Sequence, residues 1–304
     1  MGFRPRPRHL RRPLLPRRPA GELARLRPPP IPAHPARRRP HLRRRPGDDP
    51  LAMTIHAHMF WHGDPPRRLE RLAMRSFLAQ GYALTVWTYT PQPSLPPGAT
   101  RADAAEILPQ SALFTNRRGS IASFTDWFRY LVLSRHGGLW TDSDVISLRP
   151  ASALPAQKFL VTQWEWFHRR LRPRGWKITL NNNVIFNPTP TKGDLVDLAL
   201  ALAERFPRDA IDWGELGPDL LTALSRLHPA HGYAIMPPGF ANPIGYWRSP
   251  TALLRPDPPR LKPETAFLHA YGEMWRRAGI SPDAPFPPGS LLATLAKNFG
   301  EPNP

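Results

Sequence analysis

Residues 54–89 constrain the fold more tightly than any other stretch of the chain. In TIHAHMFW, residues 54–61, Ile55, Ala57, Met59 and Trp61 alternate with His56, His58 and Phe60. That period of two predicts a strand with one face more apolar than the other. His62-Gly63-Asp64-Pro65-Pro66 breaks it, and RRLERLAMRSFLAQG then sets Leu69, Leu72, Ala73, Phe77 and Leu78 on one helical face before Gly81. YALTVWTY, residues 82–89, reads as the next strand. A strand, a helix and a strand within about 35 residues form a βαβ unit, hence a parallel pair with a right-handed crossover.

A proline-rich loop at 91–98 follows, then a weak strand candidate at 104–108. SIASFTDWFRYLVLSRH, residues 120–136, predicts a second helix with an apolar interior, a serine or threonine able to cap its start, and Gly137-Gly138 to stop it. Leu139-Trp140-Thr141 is a short strand that runs straight into Asp142-Ser143-Asp144. Two carboxylates therefore stand at the carboxyl end of a strand, the rim where open α/β sheets bind ligands. Downstream, a strand is expected at 183–187, helices in DLVDLALALAERF and GPDLLTALSRLH, a strand at 233–236 and a short helix at 273–277. The part after Pro237 otherwise reads as proline-rich and irregular, and no internal repeat is present.

Asp-x-Asp in a loop suits a hard divalent cation, because Mg²⁺ and Mn²⁺ take oxygen ligands and leave positions for phosphate oxygens and water. So short a motif is weak alone, and a polar turn after a strand is the plain alternative. Its context is the preceding helix, where Asp126 and Arg129, three apart, share a face. On a surface such a pair would contribute under about 1 kcal/mol. Its neighbours Phe124, Trp127, Phe128, Leu131 and Val132 are apolar, so the pair is expected in a partly buried setting, where a ligand rich in hydroxyls would satisfy both charges.

The block D-x-x-R-Y-x-x-L-x-x-x-G-G-x-W-x-D-x-D, preceded by Ser120 and Ser123, resembles the signature of the DXD-containing sugar-binding family of glycosyltransferases, the family 32 type. That family includes mannosyltransferase, α-1,4-galactosyltransferase and bacterial capsular-polysaccharide enzymes. Here it runs through Asp126, Arg129, Tyr130, Leu133, Gly137, Gly138, Trp140, Asp142 and Asp144. Thr125 stands where serine is usual and Trp140 where tyrosine is common. MFWHG, RSFLAQGYALTVWTY, NNNVIFNP, WGELGPDLLT, PPGFANPIGYW and FLHAYGEMW are similar to flanking family blocks, so the likeness spans residues 53–278.

The resemblance implies an α/β fold of GT-A type: a Rossmann-like single catalytic domain with a mostly parallel sheet flanked by helices. It implies a Mn²⁺ or Mg²⁺ ion, a nucleotide-sugar donor (a UDP-sugar ahead of GDP-mannose) and, by family habit, retention of anomeric configuration. Carried over residue by residue, Asp144 would bind the metal and Asp142 the donor sugar or ribose as well as the metal. Asp126 and Arg129 would bind sugar hydroxyls, Phe60 and Trp61 would lie by the base, and His269 would approach the metal or diphosphate. For Trp61 and His269 a structural role stands beside the functional one. Asn181, Asn182 and Asn183 are candidates for sugar contacts or ordinary turn residues. His56 and His58 share a strand face, where packing is the simpler role. The acceptor is expected to be a saccharide or glycolipid.

Residues 1–52 stand apart. With 42 prolines in 304 residues the chain far exceeds the usual share of about 5%, and many of them sit at this end among a dense run of arginines. Only Glu22, Asp48 and Asp49 oppose those arginines, and the segment carries most of the net charge of +19. Without apolar periodicity, and with proline and like charge throughout, it reads as a disordered extension. It is either a basic tail for nucleic acid or anionic lipid, a targeting segment, or an upstream extension with the true start at Met53. The last is favoured, and 53–304 is then the glycosyltransferase domain. The absence of cysteine excludes disulfides and thiolate metal sites. With no run of about 18 apolar residues, the expected compartment is the cytoplasm, with peripheral membrane contact open and no specific nucleic acid partner.

Two other functions fit parts of the sequence. A haloacid-dehalogenase-type phosphatase also uses Asp-x-Asp, but it needs a long apolar strand before the first aspartate and a later acidic pair, and neither is seen. A nucleic-acid-binding protein would work through the arginine arm and lose affinity steeply with salt.

Overall fold

This computed structural model describes residues 54–63, 65–90, 95–169 and 172–303, with the backbone alone at 166–169, 172–176 and 209. The arginine-rich extension lies outside the described residues. All that is described belongs to the unit Gly47–Pro304.

The βαβ unit forms as its periodicity requires. Strand β1 (His56–Phe60) and β2 (Ala83–Thr88) pair in parallel across helix α1 (Arg68–Ala79). Helix α1 buries Leu69, Leu72, Ala73 and Phe77, and at its entry the Glu70 carboxylate accepts from the Arg67 amide at 3.1 Å and from the Arg67 guanidinium at 2.7 Å. β1 is covered on both faces. Ala57 and Met59 point into one apolar cluster, and Phe60 points into the other.

The third strand is β3 (Thr100–Asp103), four residues ahead of the stretch expected at 104–108. The Asp103 carboxylate accepts from the Ala105 amide at 2.9 Å and so turns the chain into a short 3₁₀ turn where the strand was predicted. Helix α2 (Ala122–His136) is buried almost all round, which is why its sequence is apolar on more than one face. At its exit Gly137 and Gly138 both take positive φ, and a Cβ on Gly138 would lie 2.5 Å from the His56 carbonyl oxygen. Only glycine lets β4 (Gly138–Thr141) enter the sheet that close to β1.

The main sheet has the order β3-β2-β1-β4-β7-β6-β8, completed by β6 (Phe159–Arg169), β7 (Arg172–Asn187) and β8 (Ala234–Met236). Strand β7 alone runs against the others, so the sheet is mostly parallel, as expected. The expected strand at 183–187 is the end of β7, and β6 had no clear sequence signal. A second ribbon pairs β5 (Val145–Ser147) with β9 (Phe267–His269), antiparallel.

Helices α2, α3 (Leu195–Ala203) and α4 (Leu220–Leu227) cover one face of the sheet. The other face carries α1, α5 (Pro238–Ala241) and the ribbon. The tail read as irregular is more ordered than its prolines suggest. It holds α6 (Thr251–Leu254), α7 (Gly272–Arg277) and α8 (Leu291–Phe299). Ser290 caps α8, and Leu292, Leu295 and Ala296 pack with Leu69, Leu72 and Ala73 of α1. Among the described residues no helix is long and apolar enough to cross a membrane.

Candidate functional site

Strand order reverses at β1/β4, since β2 and β3 lie to one side and β7 to the other. The crevice beyond the carboxyl ends of those strands is where doubly wound sheets bind ligands, and Asp142 follows β4 there. The turn is held by Asp142 N–H donating to the Asn183 carbonyl at 2.9 Å and Val145 N–H to the Asp142 carbonyl at 3.1 Å. Asp144 then opens the ribbon, where its carbonyl accepts from Ala270 N–H at 2.9 Å.

This pairing answers a question that spacing could not. His269 is 125 residues from Asp144, yet the β5–β9 register sets His269 against Val145. Ligand atoms of Asp142, Asp144 and His269 all fall within 4.8 Å of one another. His269 Nε2 lies 3.4 Å from Asp144 Oδ1, and the Gly272 amide donates to Asp144 Oδ2 at 2.6 Å. Burial works to raise the pKa of Asp144, but His269 and the Gly272 amide outweigh it and hold the carboxyl below its usual range. Two carboxylates and one imidazole suit Mn²⁺ well and Mg²⁺ acceptably. The residues present therefore fit the implied ion.

Asp126 and Arg129 lie beside this group and are almost fully buried, at 5% and 3% exposure. Arg129 Nη2 meets Asp126 Oδ1 at 3.1 Å and its Nη1 meets Asp142 Oδ1 at 3.2 Å. It also donates to the carbonyls of Asn182 and Thr125. One guanidinium thus ties helix α2 to both the turn after β4 and strand β7. Burial raises the pKa of Asp126 to about 6 even though Arg129 and Asn182 pull it down. Gly217 closes over the pair, and a Cβ there would sit 2.8 Å from Asp126 Oδ2.

The other predicted residues are divided. Phe60 is buried among Tyr89, Phe124 and Phe128, with ring centroids 6.0, 5.7 and 4.7 Å away, so it is part of the core rather than an open platform for a base. Trp61 is partly buried, with the Arg67 guanidinium 5.9 Å from its ring. His58 is buried away from the carboxylates and accepts from Trp87 Nε1 at 3.3 Å. The three asparagines are neither a turn nor a strand entry: they lie inside β7 at a shift of register against β6, the kind of bulge that re-aims side chains beside sites. Asn182 Nδ2 donates to Asp126 at 2.7 Å, Asn183 Nδ2 to Asn242 at 3.0 Å and Asn181 Nδ2 to Gln163 at 2.6 Å.

Sequence reasoning missed two contributors. Trp140 was noted only as a departure from tyrosine, yet its indole N–H donates to Asp142 Oδ1 at 3.0 Å and Arg129 stacks 5.2 Å from its ring. Tyr271, a non-glycine residue at φ 55°, lies against His269 with ring centroids 3.8 Å apart. Strain of that kind concentrates at functional sites, but nothing in the sequence signals it.

Comparisons with known proteins find resemblance to glycosyltransferases. Residues 70–160 match the family model described as the glycosyltransferase sugar-binding region containing DXD motif. The match spans Asp126, Arg129, Asp142 and Asp144. Residues 70–160 are thus similar to the sugar-binding region of the DXD-containing glycosyltransferases, as the resemblance implied, rather than to a haloacid-dehalogenase-type phosphatase. Among solved structures it is similar to the PaToxG glycosyltransferase, at 16% identity and TM-score 0.38 over 58% of this chain and 69% of that one. It is also similar to the apo-form glycosyltransferase GlyE of Streptococcus pneumoniae TIGR4, at 15% identity and TM-score 0.41 over 81% of this chain and 64% of that one. No curated protein sequence matches the chain.

Proposed function

We propose that the protein is a metal-dependent hexosyltransferase that moves a sugar from a nucleotide-diphosphate donor to an acceptor hydroxyl. The observation that carries the reading is the convergence of Asp142, Asp144 and His269 at the β1/β4 crevice, beside the buried Asp126–Arg129 pair. In this reading the three residues hold Mn²⁺ or Mg²⁺. When bound, that ion supplies positive charge to the departing diphosphate. Asp142 would serve both the ion and the donor sugar, its Oδ1 being held already by Arg129 and Trp140. Arg129 fixes the orientation of both Asp126 and Asp142; the buried Asp126 backs the site, the partly exposed Asp142 would face the sugar, and Trp61 would border the nucleotide base.

The donor is a UDP-sugar in preference to GDP-mannose, and the acceptor a saccharide or glycolipid met in the cytoplasm or at a membrane periphery. Transfer retains anomeric configuration by a front-face route, which needs positioning and electrostatics but no protein nucleophile or named base. The test is a screen of UDP-galactose, UDP-glucose, UDP-N-acetylglucosamine and GDP-mannose with Mn²⁺. Hydrolysis of one donor that disappears in Asp144→Ala supports the reading. Silence toward all four, or a response that survives Asp144→Ala, refutes it.

A further inference from the structure

Beneath His269 lies a buried amide network that the metal ligands alone do not explain. Asn242, 2% exposed, donates through Nδ2 to the Thr162 carbonyl at 3.0 Å. A carbonyl only accepts, so this bond fixes which end of the amide is which. Asn242 Oδ1 is therefore the atom that faces Asn183 Nδ2 at 3.0 Å, the Tyr271 hydroxyl at 3.2 Å and His269 Nδ1 at 3.2 Å. An amide oxygen cannot donate, so His269 must carry its hydrogen on Nδ1. Nε2, 3.4 Å from Asp144 Oδ1, is then the nitrogen presented to an ion.

We infer that Asn242 is a positioning residue that sets the ring direction of His269 and, in the metal-loaded protein, its tautomer, so that Nε2 is the nitrogen aimed at the metal. This rests on the reading of Asp142, Asp144 and His269 as the ion's ligands. Outer partners of this kind raise the basicity of a ligand histidine and remove the cost of reorienting it, and their loss typically weakens metal binding about 10- to 100-fold. The β-bulge in β7 has a purpose on this account, since it turns Asn183 inward to brace the amide.

The test measures Mn²⁺ affinity by electron paramagnetic resonance and the His269 tautomer by ¹⁵N-histidine NMR of the Mg²⁺-loaded protein. The His269 signals are identified by their loss in His269→Gln. The wild type is expected to show hydrogen on Nδ1, and Asn242→Ala to bind Mn²⁺ about 10- to 100-fold more weakly. His58→Gln, at a buried strand histidine outside this network, is expected to bind Mn²⁺ as the wild type does. A wild-type tautomer with hydrogen on Nε2 overturns the inference even if Asn242→Ala fails to fold. So does undiminished Mn²⁺ binding by a folded Asn242→Ala, or an equal loss in His58→Gln. Absence of Mn²⁺ binding by the wild type refutes the metal reading itself and this inference with it, which separates the two failures.

Discussion

His58 and His269 are both buried strand histidines, and only one of them is equipped for chemistry. His269 faces the Asn242 amide oxygen through Nδ1 and the Asp144 carboxylate through Nε2. His58 accepts one bond from Trp87, no carboxylate among the described residues faces it, and its nearest titratable neighbours are His136 and His56. Burial and those two histidines lower its pKa to about 4, so the ring is neutral and serves as packing. Burial alone therefore says little about a histidine's role. What separates these two is whether negative charge faces the ring, and a charge network must then be strong enough to hold that arrangement.

The largest effect should come from breaking that network at Arg129. Arg129→Met leaves the Asp126 carboxylate buried with Asn182 alone. Loss of one partner of a buried pair costs about 3–5 kcal/mol, to be read by urea unfolding near neutral pH. Adding Asp126→Asn should restore much of it by removing the stranded charge. A loss below about 1 kcal/mol, the surface-pair range, would show that the pair is hydrated and that the two halves of the comparison are less different than they look.

Asp144→Ala sharpens the contrast at the other side of the site. It should abolish Mn²⁺ binding and lower donor hydrolysis by about 10²- to 10³-fold, the range for losing a dominant electrostatic stabiliser. Asp142→Ala should chiefly raise the donor KM. His58→Gln should leave Mn²⁺ affinity at the wild-type value in the same titration, and a shared loss would erase the distinction between the histidines.

The histidines separate what local spacing reveals from what it hides. His56, His58 and His62 sit close together in the chain and invite a metal reading, whereas His269 was placed only through family likeness. Local periodicity made β1, α1, β2 and α2 legible, because each buries a face that repeats within a few residues. The pairing of β5 with β9 depends on contacts across more than a hundred residues, for which no local pattern exists. The same holds for the amide network, where an asparagine in β7 and one after α5 look like turn residues until the sheet brings them together. Phe60 shows the converse. Its place at a strand end suits a ligand platform, but α2 packs over that end with Phe124 and Phe128.

The pH dependence of folding tests the dry side of the comparison. His58 has a folded pKa near 4 against 6.5 unfolded, so its stabilising effect is whole above pH 6.5 and is lost as pH falls toward 4. Linkage gives about 2 kcal/mol between pH 8 and pH 5. Asp126 works the other way. Its pKa is raised from 3.8 to about 6, so its ionisation penalises the fold above pH 6 and the penalty fades on acidification. The wild-type curve alone would hide both effects. The expected readout is the stability gap between wild type and His58→Gln, which should shrink by about 2 kcal/mol from pH 8 to pH 5. A gap that stays constant would mean the imidazole is not desolvated.

The smallest effect concerns Trp140, an uncharged residue that touches both Arg129 and Asp142. Trp140→Phe keeps an aromatic face for the guanidinium but removes the indole N–H that donates to Asp142 Oδ1 at 3.0 Å. Asp142 is partly exposed, so water replaces much of that bond, and about 1 kcal/mol is the reasonable net loss. It should appear as a rise of roughly five-fold in the donor KM with Mn²⁺ affinity little changed, because Asp144 and His269 are untouched. Stability is the wrong readout, since shrinking a fully buried tryptophan loosens packing by itself. An unchanged KM would mean Arg129 alone orients Asp142, and the indole would then belong with His58 on the packing side of the comparison.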